Sequence, residues 1–134
     1  MKVDNCRIIP LPCISDGRGS LTFMEGNSQI PFGMKRIYYV YNVPENKNRG
    51  AHANIESEQI IIAISGKFDV RLDDGKEKKE HTLGNPAEAL YIPPKIWVEL
   101  ENFSHGAVML VLRPTTYDKN DYVRDYGEFM KLVA

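Results

Sequence analysis

Short apolar runs separated by glycine, proline and asparagine turns are the feature that most limits how this chain can fold. Residues 59–65 are almost continuously apolar, as expected of a strand that is buried on both faces. Residues 68–72 instead alternate apolar and polar side chains and then reach Asp73-Asp74-Gly75, a sequence typical of a hairpin turn. Similar runs follow at 21–24, 35–41, 89–92, 97–100 and 107–112. Strands this short, with such turns between them, predict an all-β sandwich or barrel.

The end of the chain carries a different pattern. Asp118 or Asn120 can cap a helix, and the aromatic and apolar side chains beyond them recur every three or four residues. These side chains belong to Tyr122, Tyr126, Phe129, Met130 and Val133. A chain of 134 residues has the length of one domain. We therefore predict a single jelly-roll domain over 1–134, all-β except for one C-terminal α-helix.

Charge and cysteine content exclude several classes of function. Lys and Arg together number 17 and Asp and Glu 18, so no excess of basic residues supports non-specific nucleic-acid binding, although a local basic pocket for a phosphorylated small molecule is still allowed. No apolar run approaches the roughly 20 residues of a membrane span, and residues 1–12 lack an apolar signal core. Cys6 and Cys13 are too few for a disulfide framework, and we interpret both as reduced thiols. We expect a cytoplasmic protein.

His52 is the first candidate for chemistry. Of the three histidines, His81 and His105 lie in polar surroundings, whereas His52 lies between the turn at Gly50 and an apolar run. An imidazole in the wall of a packed barrel can exchange protons near neutral pH. From this pattern alone, a histidine that is simply satisfied inside the core is the commoner outcome.

The residues around His52 do not form a metal site. Small jelly rolls of the cupin type often bind a metal through a His-x-His pair and a following Glu, because alternate residues of a strand share one face. Here the pair is His52-Ala53-Asn54, with Glu58 following, and alignment of the second cupin motif on Pro93 gives Val98 where a histidine would stand. One His, one amide and one Glu suit a transition metal poorly. We therefore predict no metal and chemistry by proton transfer.

Motifs along nearly the whole chain resemble one family, the bacterial nucleotide-sugar 3,4-ketoisomerases that act on dTDP-4-keto-6-deoxyglucose. The most distinctive is the closing string from Tyr117 to Tyr126, which reads Tyr-Asp-x-x-Asp-Tyr-Val-Arg-Asp-Tyr. The others are Asp16-Gly-Arg-Gly-Ser-Leu21, Lys35-Arg-Ile-Tyr-Tyr39, Arg49-Gly-Ala-His52, Gln59 with Ser65-Gly66, Leu90-Tyr-Ile-Pro93 with Trp97, and Asn102-Phe-Ser104.

The resemblance implies a cupin-type fold, usually as a homodimer with exchanged N-terminal strands, and neither a metal nor an organic cofactor. It implies a dTDP-linked 4-keto-6-deoxy sugar as substrate. The 3-keto product would pass to an aminotransferase that makes 3-amino-3,6-dideoxy sugars for surface glycans. The family motif is typically His-x-His-Lys, whereas this chain has Asn54 and Ile55 at its last two positions. Asparagine can only hydrogen-bond, so Asn54 cannot take over a proton-transfer role.

Moving a ketone from C4 to C3 needs a base, a proton shuttle and stabilisation of an enediolate. We predict that His52 is the base. Only one of Tyr38 and Tyr39 can face the interior of the barrel, and we predict that Tyr39 does so and relays a proton. Arg18 and Arg49 are predicted to hold the negative charge of the enediolate or the pyrophosphate.

Three further residues are predicted to contact the substrate. Asn54 and Gln59 would hydrogen-bond the sugar, and Trp97 would wall the pocket or stack on thymine. Each of the predicted site residues also has a structural alternative, such as a solvated surface charge for Arg18 and Arg49 or a core aromatic for Trp97.

Two other functions stay open at this point. Deoxysugar 3,5-epimerases share the Asp-x-Arg-Gly turn and the Arg-Gly-x-His strand, but they pair the histidine with an Asp deeper in the chain, and no residue here clearly supplies it. A non-catalytic nucleotide-sugar binding domain that has lost the second imidazole is the other alternative. The sequence leaves the C4 configuration of the product and the nucleotide preference open.

Overall fold

The computed structural model describes residues 2–134. Over these residues the chain forms twelve strands, one α-helix and two short 3-10 turns, the latter at Val3–Asn5 and Lys119–Asp121. The strands are β1 (Arg7–Pro10), β2 (Cys13–Asp16), β3 (Gly19–Thr22), β4 (Arg36–Val40), β5 (Arg49–Asn54), β6 (Gln59–Ser65), β7 (Phe68–Asp73), β8 (Lys78–Leu83), β9 (Glu88–Ile92), β10 (Trp97–Glu101), β11 (Val108–Arg113) and β12 (Tyr122–Val123). The helix is α1 (Tyr126–Val133). The all-β prediction with one C-terminal helix is confirmed.

The strands form two five-stranded sheets and one separate hairpin. One sheet has the order β1-β9-β6-β11-β4, the other has the order β12-β5-β10-β7-β8, and β2 pairs with β3 alone. All of these pairings are antiparallel. The two large sheets are not joined edge to edge, so the architecture is an open jelly-roll sandwich. Strand β4 forms one edge of the first sheet.

Strand β6 begins with a continuous apolar run because both of its faces are covered by other parts of the chain. Ile61 packs between the two sheets, in the same cluster as Val70 and Val111. Ile60 and Ile62 point the other way and pack in a second cluster, which segments outside the sheets complete through Leu11, Ile30 and Phe32. Both faces of β6 are therefore buried, as the sequence predicted.

The C-terminal helix begins later than the sequence suggested. Asp118 caps the 3-10 turn, where its side chain accepts a hydrogen bond from the Asn120 backbone at 2.9 Å. The next residues pair with β5 as strand β12. The helix is capped by Asp125, whose Oδ2 accepts from the Glu128 backbone N–H at 2.9 Å. The prediction of Asp118 or Asn120 as its cap is wrong, because pairing with β5 holds Tyr122 and Val123 in an extended conformation.

Three other properties bear on function. Cys6 and Cys13 are both free thiols. No helix within residues 2–134 has the length and apolar character needed to cross a membrane. Over the same residues, no three His, Cys, Asp or Glu side chains come together as a set that could hold a metal ion.

Candidate active site

A cavity of about 400 Å³ lies between the two sheets, at the end where the closing segment of the chain crosses them. The first sheet contributes side chains from β4, β6 and β11, among them Tyr38 and Gln59. The second sheet contributes β5 and β10, including His52 and Val98. The segment before the helix adds Tyr117, Tyr122 and Arg124. A cavity walled by both sheets and partly covered by a third segment is a normal setting for a small-molecule site.

A bulge in β5 places both Arg49 and His52 on the cavity. Gly50 and Ala51 have positive φ angles of 81° and 58°, and the pairing of β5 with β10 shifts register at this point. In a regular strand, Arg49 and His52 would lie on opposite faces, because they are three residues apart. The extra residue of the bulge places both side chains on the same face. Gly50 is needed here, since a Cβ would lie 2.9 Å from the Val98 carbonyl oxygen.

The two ring nitrogens of His52, Nδ1 and Nε2, are buried, and neither makes a hydrogen bond of good geometry within residues 2–134. The ring lies 5.0 Å from the ring of Tyr122, centroid to centroid. Burial, aided by the positive charge of Arg113, lowers the pKa of His52 to about 4. His52 is therefore neutral near pH 7 and has a ring nitrogen free to accept a proton.

The remaining charge on the cavity wall is positive. Arg36, Arg49 and Arg124 line it, and among the described residues no carboxylate does so. The Arg36 guanidinium lies over the rings of Tyr38 and Tyr117, at 5.5 and 5.6 Å. Its Nε is buried and has no hydrogen-bond partner over residues 2–134. Arginine presents a forked set of donors to anions such as phosphates. The cavity is thus suited to a small molecule that carries negative charge.

Strand β4 directs Tyr38 into this cavity, whereas Tyr39 points outward. Tyr39 is 62% exposed, and its ring lies 5.8 Å from that of Tyr41 on the outer face, centroid to centroid. The prediction that Tyr39 faces the interior is therefore wrong. Aromatic residues occupy both faces of β4, so the sequence pattern could not fix which face is turned inward.

Asn54 lies behind the cavity wall, in contact with a residue that the sequence analysis missed. Arg113, at the end of β11, is fully buried and donates from Nη1 to Asn54 Oδ1 at 2.9 Å. It also donates from Nε and Nη2 to Tyr38 Oη at 3.4 and 3.2 Å. The Asn54 amide in turn donates to Asp121 Oδ2 at 3.0 Å. Both ends of the Asn54 amide therefore hold neighbouring side chains in this structure, and its predicted hydrogen bond to the sugar stays a prediction. A charged residue that closes a buried apolar run was the available signal for Arg113.

Two further predicted residues lie outside this cavity. The Arg18 side chain is 91% exposed at the β2–β3 turn and pairs with Asp16 at 2.7 Å. Trp97 faces the outer side of its sheet, where its ring lies 5.7 Å from that of Phe129 on the helix. Trp97 precedes cavity-lining Val98, so alternation sends the indole to the opposite face. Of the seven site predictions, the structure brings together His52, Arg49 and Gln59 on the cavity wall.

Known proteins resemble this chain over almost its whole length. The family model "FdtA: WxcM-like, C-terminal" matches residues 4–134. The TDP-4-oxo-6-deoxy-alpha-D-glucose-3,4-oxoisomerase of Aneurinibacillus thermoaerophilus is 41% identical over 128 residues, which are 96% of this chain and 92% of that protein.

Solved structures give the same result. The WlaRB TDP-quinovose 3,4-ketoisomerase of Campylobacter jejuni is 44% identical, with a TM-score of 0.91 over 95% of this chain and 98% of that one. QdtA from Thermoanaerobacterium thermosaccharolyticum, a sugar 3,4-ketoisomerase solved in complex with TDP, is 36% identical, with a TM-score of 0.95 over 97% and 95% of the two chains. The cavity, the fold and these matches agree, and the chain belongs to the FdtA family of WxcM-like C-terminal domains, among whose relatives are sugar 3,4-ketoisomerases.

Proposed function

We propose that the protein is a nucleotide-sugar 3,4-ketoisomerase that moves the ketone of dTDP-4-keto-6-deoxyglucose from C4 to C3. The observation that carries the proposal is the neutral His52 imidazole in an arginine-lined cavity, with both ring nitrogens unpaired within the described residues. The named activities of the relatives supply the substrate class. The 3-keto product suits a following amination at C3.

The cavity residues divide the chemistry between the two sheets. His52 removes the proton on C3, which the adjacent C4 carbonyl acidifies, and the electron pair forms the C3–C4 double bond of an enediolate. Tyr38, on the facing sheet, gives its hydroxyl proton to C4, and the hydroxyl proton on O3 moves to O4. C3 is then the ketone. His52 and Tyr38 return to their starting protonation states by exchange with solvent.

Arginine and amide groups hold the substrate in this scheme. Arg36, Arg49 and Arg124 bind the diphosphate, and Gln59 hydrogen-bonds the sugar from β6. Tyr38 takes the proton-relay role that the sequence analysis gave to Tyr39, since Tyr38 is the member of the pair that reaches the cavity.

The active form in this proposal is a homodimer. The β2–β3 hairpin pairs with no other strand in the described part of the chain and exposes Ile14 and Leu21, at 61% and 57%. The free edge strand β4 exposes Ile37 and Tyr39 to a similar extent, at 60% and 62%. Addition of the partner's hairpin along β4 would cover both apolar surfaces and remove a free sheet edge.

This arrangement also gives Arg18 a site at which to act. Arg18 lies at the turn of the hairpin, and strand β4 carries Arg36 and Tyr38 of the cavity. A hairpin placed along β4 of a second copy brings its turn near that copy's cavity. Arg18 then stabilises negative charge in the partner's site.

The function is tested by incubating the protein with dTDP-4-keto-6-deoxyglucose in heavy water and following the sugar by proton NMR. We expect a 3-keto species with deuterium at C4, and its coupling at C4 gives the configuration of the product. The variant His52→Asn should form no product, while the exposed-histidine control His105→Asn should match wild type. Exchange at C3 and C5 with the ketone still at C4 would indicate an epimerase. TDP binding without any exchange would indicate a binding domain.

The role of Arg18 is tested by co-expressing Arg18→Ala chains with His52→Asn chains. Each variant alone should be inactive. If Arg18 serves the partner's cavity, a mixed dimer has one intact site, and random pairing restores about a quarter of wild-type activity. If Arg18 serves its own chain, every site keeps at least one defect and the mixture stays inactive.

The dimer itself is tested by light scattering, which should give about twice the 15.3 kDa chain mass. A monomer would contradict the proposed dimer.

A further inference from the structure

The cation beneath the cavity floor has no acidic partner. Arg113 is fully buried, and no carboxylate of the described chain lies within salt-bridge distance of its guanidinium. Its acceptors are neutral: Tyr38 Oη, Asn54 Oδ1 and, at 3.5 Å, Ser57 Oγ. Buried charges are normally paired, because desolvation of an unpaired one is costly. The unpaired charge of Arg113 therefore suggests that this residue serves the neighbouring cavity.

The contact with Tyr38 fixes the direction of the phenolic proton. Two guanidinium N–H groups, on Nε and Nη2, point at the phenolic oxygen. Arginine has donors but no acceptor, so the Tyr38 hydroxyl cannot donate back to Arg113. Its proton is left to point away from Arg113, towards the cavity that Tyr38 lines. The same two hydrogen bonds stabilise negative charge on the oxygen once the proton has left.

Asn54 holds the guanidinium without cancelling its charge. Its amide oxygen accepts from Arg113, and its amide nitrogen donates to Asp121 Oδ2. Asp121 is itself anchored, since Oδ1 accepts from the Glu56 backbone N–H at 2.7 Å and Oδ2 from that of Ser57 at 3.3 Å. A neutral amide thus separates the cation from the fixed carboxylate. A carboxylate directly on Arg113 would instead neutralise it.

The charge of Arg113 also acts on His52. It opposes protonation of the imidazole, which must stay neutral to accept a proton.

We propose that Arg113 is a positioning residue that aims the Tyr38 hydroxyl at C4 of the enediolate and stabilises the phenolate left behind, with Asn54 holding Arg113 for this purpose. This inference rests on the proposed function. In the step concerned, the Tyr38 O–H bond breaks, the C4–H bond forms, and the negative charge moves from the enediolate to the phenolate oxygen beside Arg113. Solvent later returns a proton to that oxygen.

The test separates proton removal at C3 from proton delivery at C4. In heavy water, an enediolate that returns to substrate carries deuterium at C3, whereas one that proceeds becomes 3-keto product. Arg113→Lys keeps the positive charge but loses the paired guanidinium N–H donors that contact Tyr38. We expect it to raise the ratio of C3 exchange to product by about tenfold, and Tyr38→Phe to raise it by about a hundredfold. TDP affinity should stay unchanged, because Arg113 does not line the cavity. The control Arg71→Lys alters an exposed arginine beside Glu101.

The double variant decides whether Arg113 works through Tyr38. With Phe at position 38, Arg113→Lys should have no further effect on the ratio. An independent additional loss, or an equal fall in C3 exchange and product in the single variant, would overturn the inference. Absence of both exchange and product in wild type would instead overturn the proposed function, and this inference with it.

A second variant carries the test if Arg113→Lys does not fold. Asn54→Ala removes the bridge to Asp121 and should shift the same ratio in the same direction, by a smaller factor. Its control is Asn85→Ala, which loses only a local hydrogen bond to the Ala87 backbone in an exposed turn. An unchanged ratio in Asn54→Ala would remove Asn54 from the proposal.

Discussion

The inner and outer faces of the β5 sheet differ in how they treat polar groups. On the inner face, His52 has two buried ring nitrogens that find no hydrogen-bond partner among residues 2–134. On the outer face, Ala53, Trp97 and Phe129 pack together, and the nearby Tyr126 hydroxyl donates to Asp73 at 2.6 Å. Leaving buried polar groups unpaired costs stability. The contrast supports the proposal that the inner face binds substrate and transfers protons, whereas the outer face packs against the helix.

The largest expected effect is on the inner face. His52→Asn should lower kcat about a thousandfold, because it removes the proposed general base, and should leave the melting temperature close to that of wild type. Steady-state kinetics and thermal unfolding, compared with His105→Asn, measure the two effects. A His52→Asn variant with a lowered melting temperature but unchanged specific activity would contradict the assignment of the inner face to catalysis.

A substitution on the outer face should instead lower stability and leave the activity of the folded protein unchanged. Phe129 is fully buried under Trp97, so Phe129→Ala should lower the free energy of unfolding by about 3 to 5 kcal/mol. Activity per folded molecule should be close to wild type, as measured by urea unfolding and by kinetics below the transition. A matched control is Met130→Ala, on the exposed side of the same helix. A loss of kcat in folded Phe129→Ala would show that the two faces are coupled.

Strand β4 allows the same comparison with two adjacent, identical side chains. Tyr38→Phe should lower kcat about a hundredfold, since it removes the proposed proton donor, while Tyr39→Phe should change kcat by less than about twofold. Steady-state kinetics on the pair give the contrast directly. Equal losses in both variants would contradict the assignment of Tyr38.

A further expected effect is on the pH dependence of stability. The pKa of His52 is about 4 in the folded chain and 6.5 as an ordinary histidine, so between these values the unfolded chain binds more protons. The stabilisation from a neutral His52 is complete above pH 6.5 and is lost as the pH falls towards 4. His52→Asn should therefore show a shallower fall in the free energy of unfolding over this range than His105→Asn. Parallel curves would contradict the lowered pKa.

Several features of the fold followed directly from the sequence. The apolar run that became β6 predicted a strand buried on both faces, and Ile60 and Ile61 do pack in different clusters. The closing helix was expected, but its start was misplaced because a tertiary pairing with β5 competes with helix formation at Tyr122 and Val123. Local propensity does not contain the partner strand, so it could not predict this boundary.

By itself, the sequence determined the fold class, the family and His52 as the candidate base, because these depend on periodicity and on motifs read along the chain. Only the tertiary structure decided that Tyr38 faces inward, that Arg49 shares the cavity with His52 across a bulge, and that Arg113 lies beneath them. Strand alternation says that neighbours face opposite ways, but not which way is inward. Arg113 and Asn54 are 59 positions apart, and only the stacking of the two sheets brings them into contact.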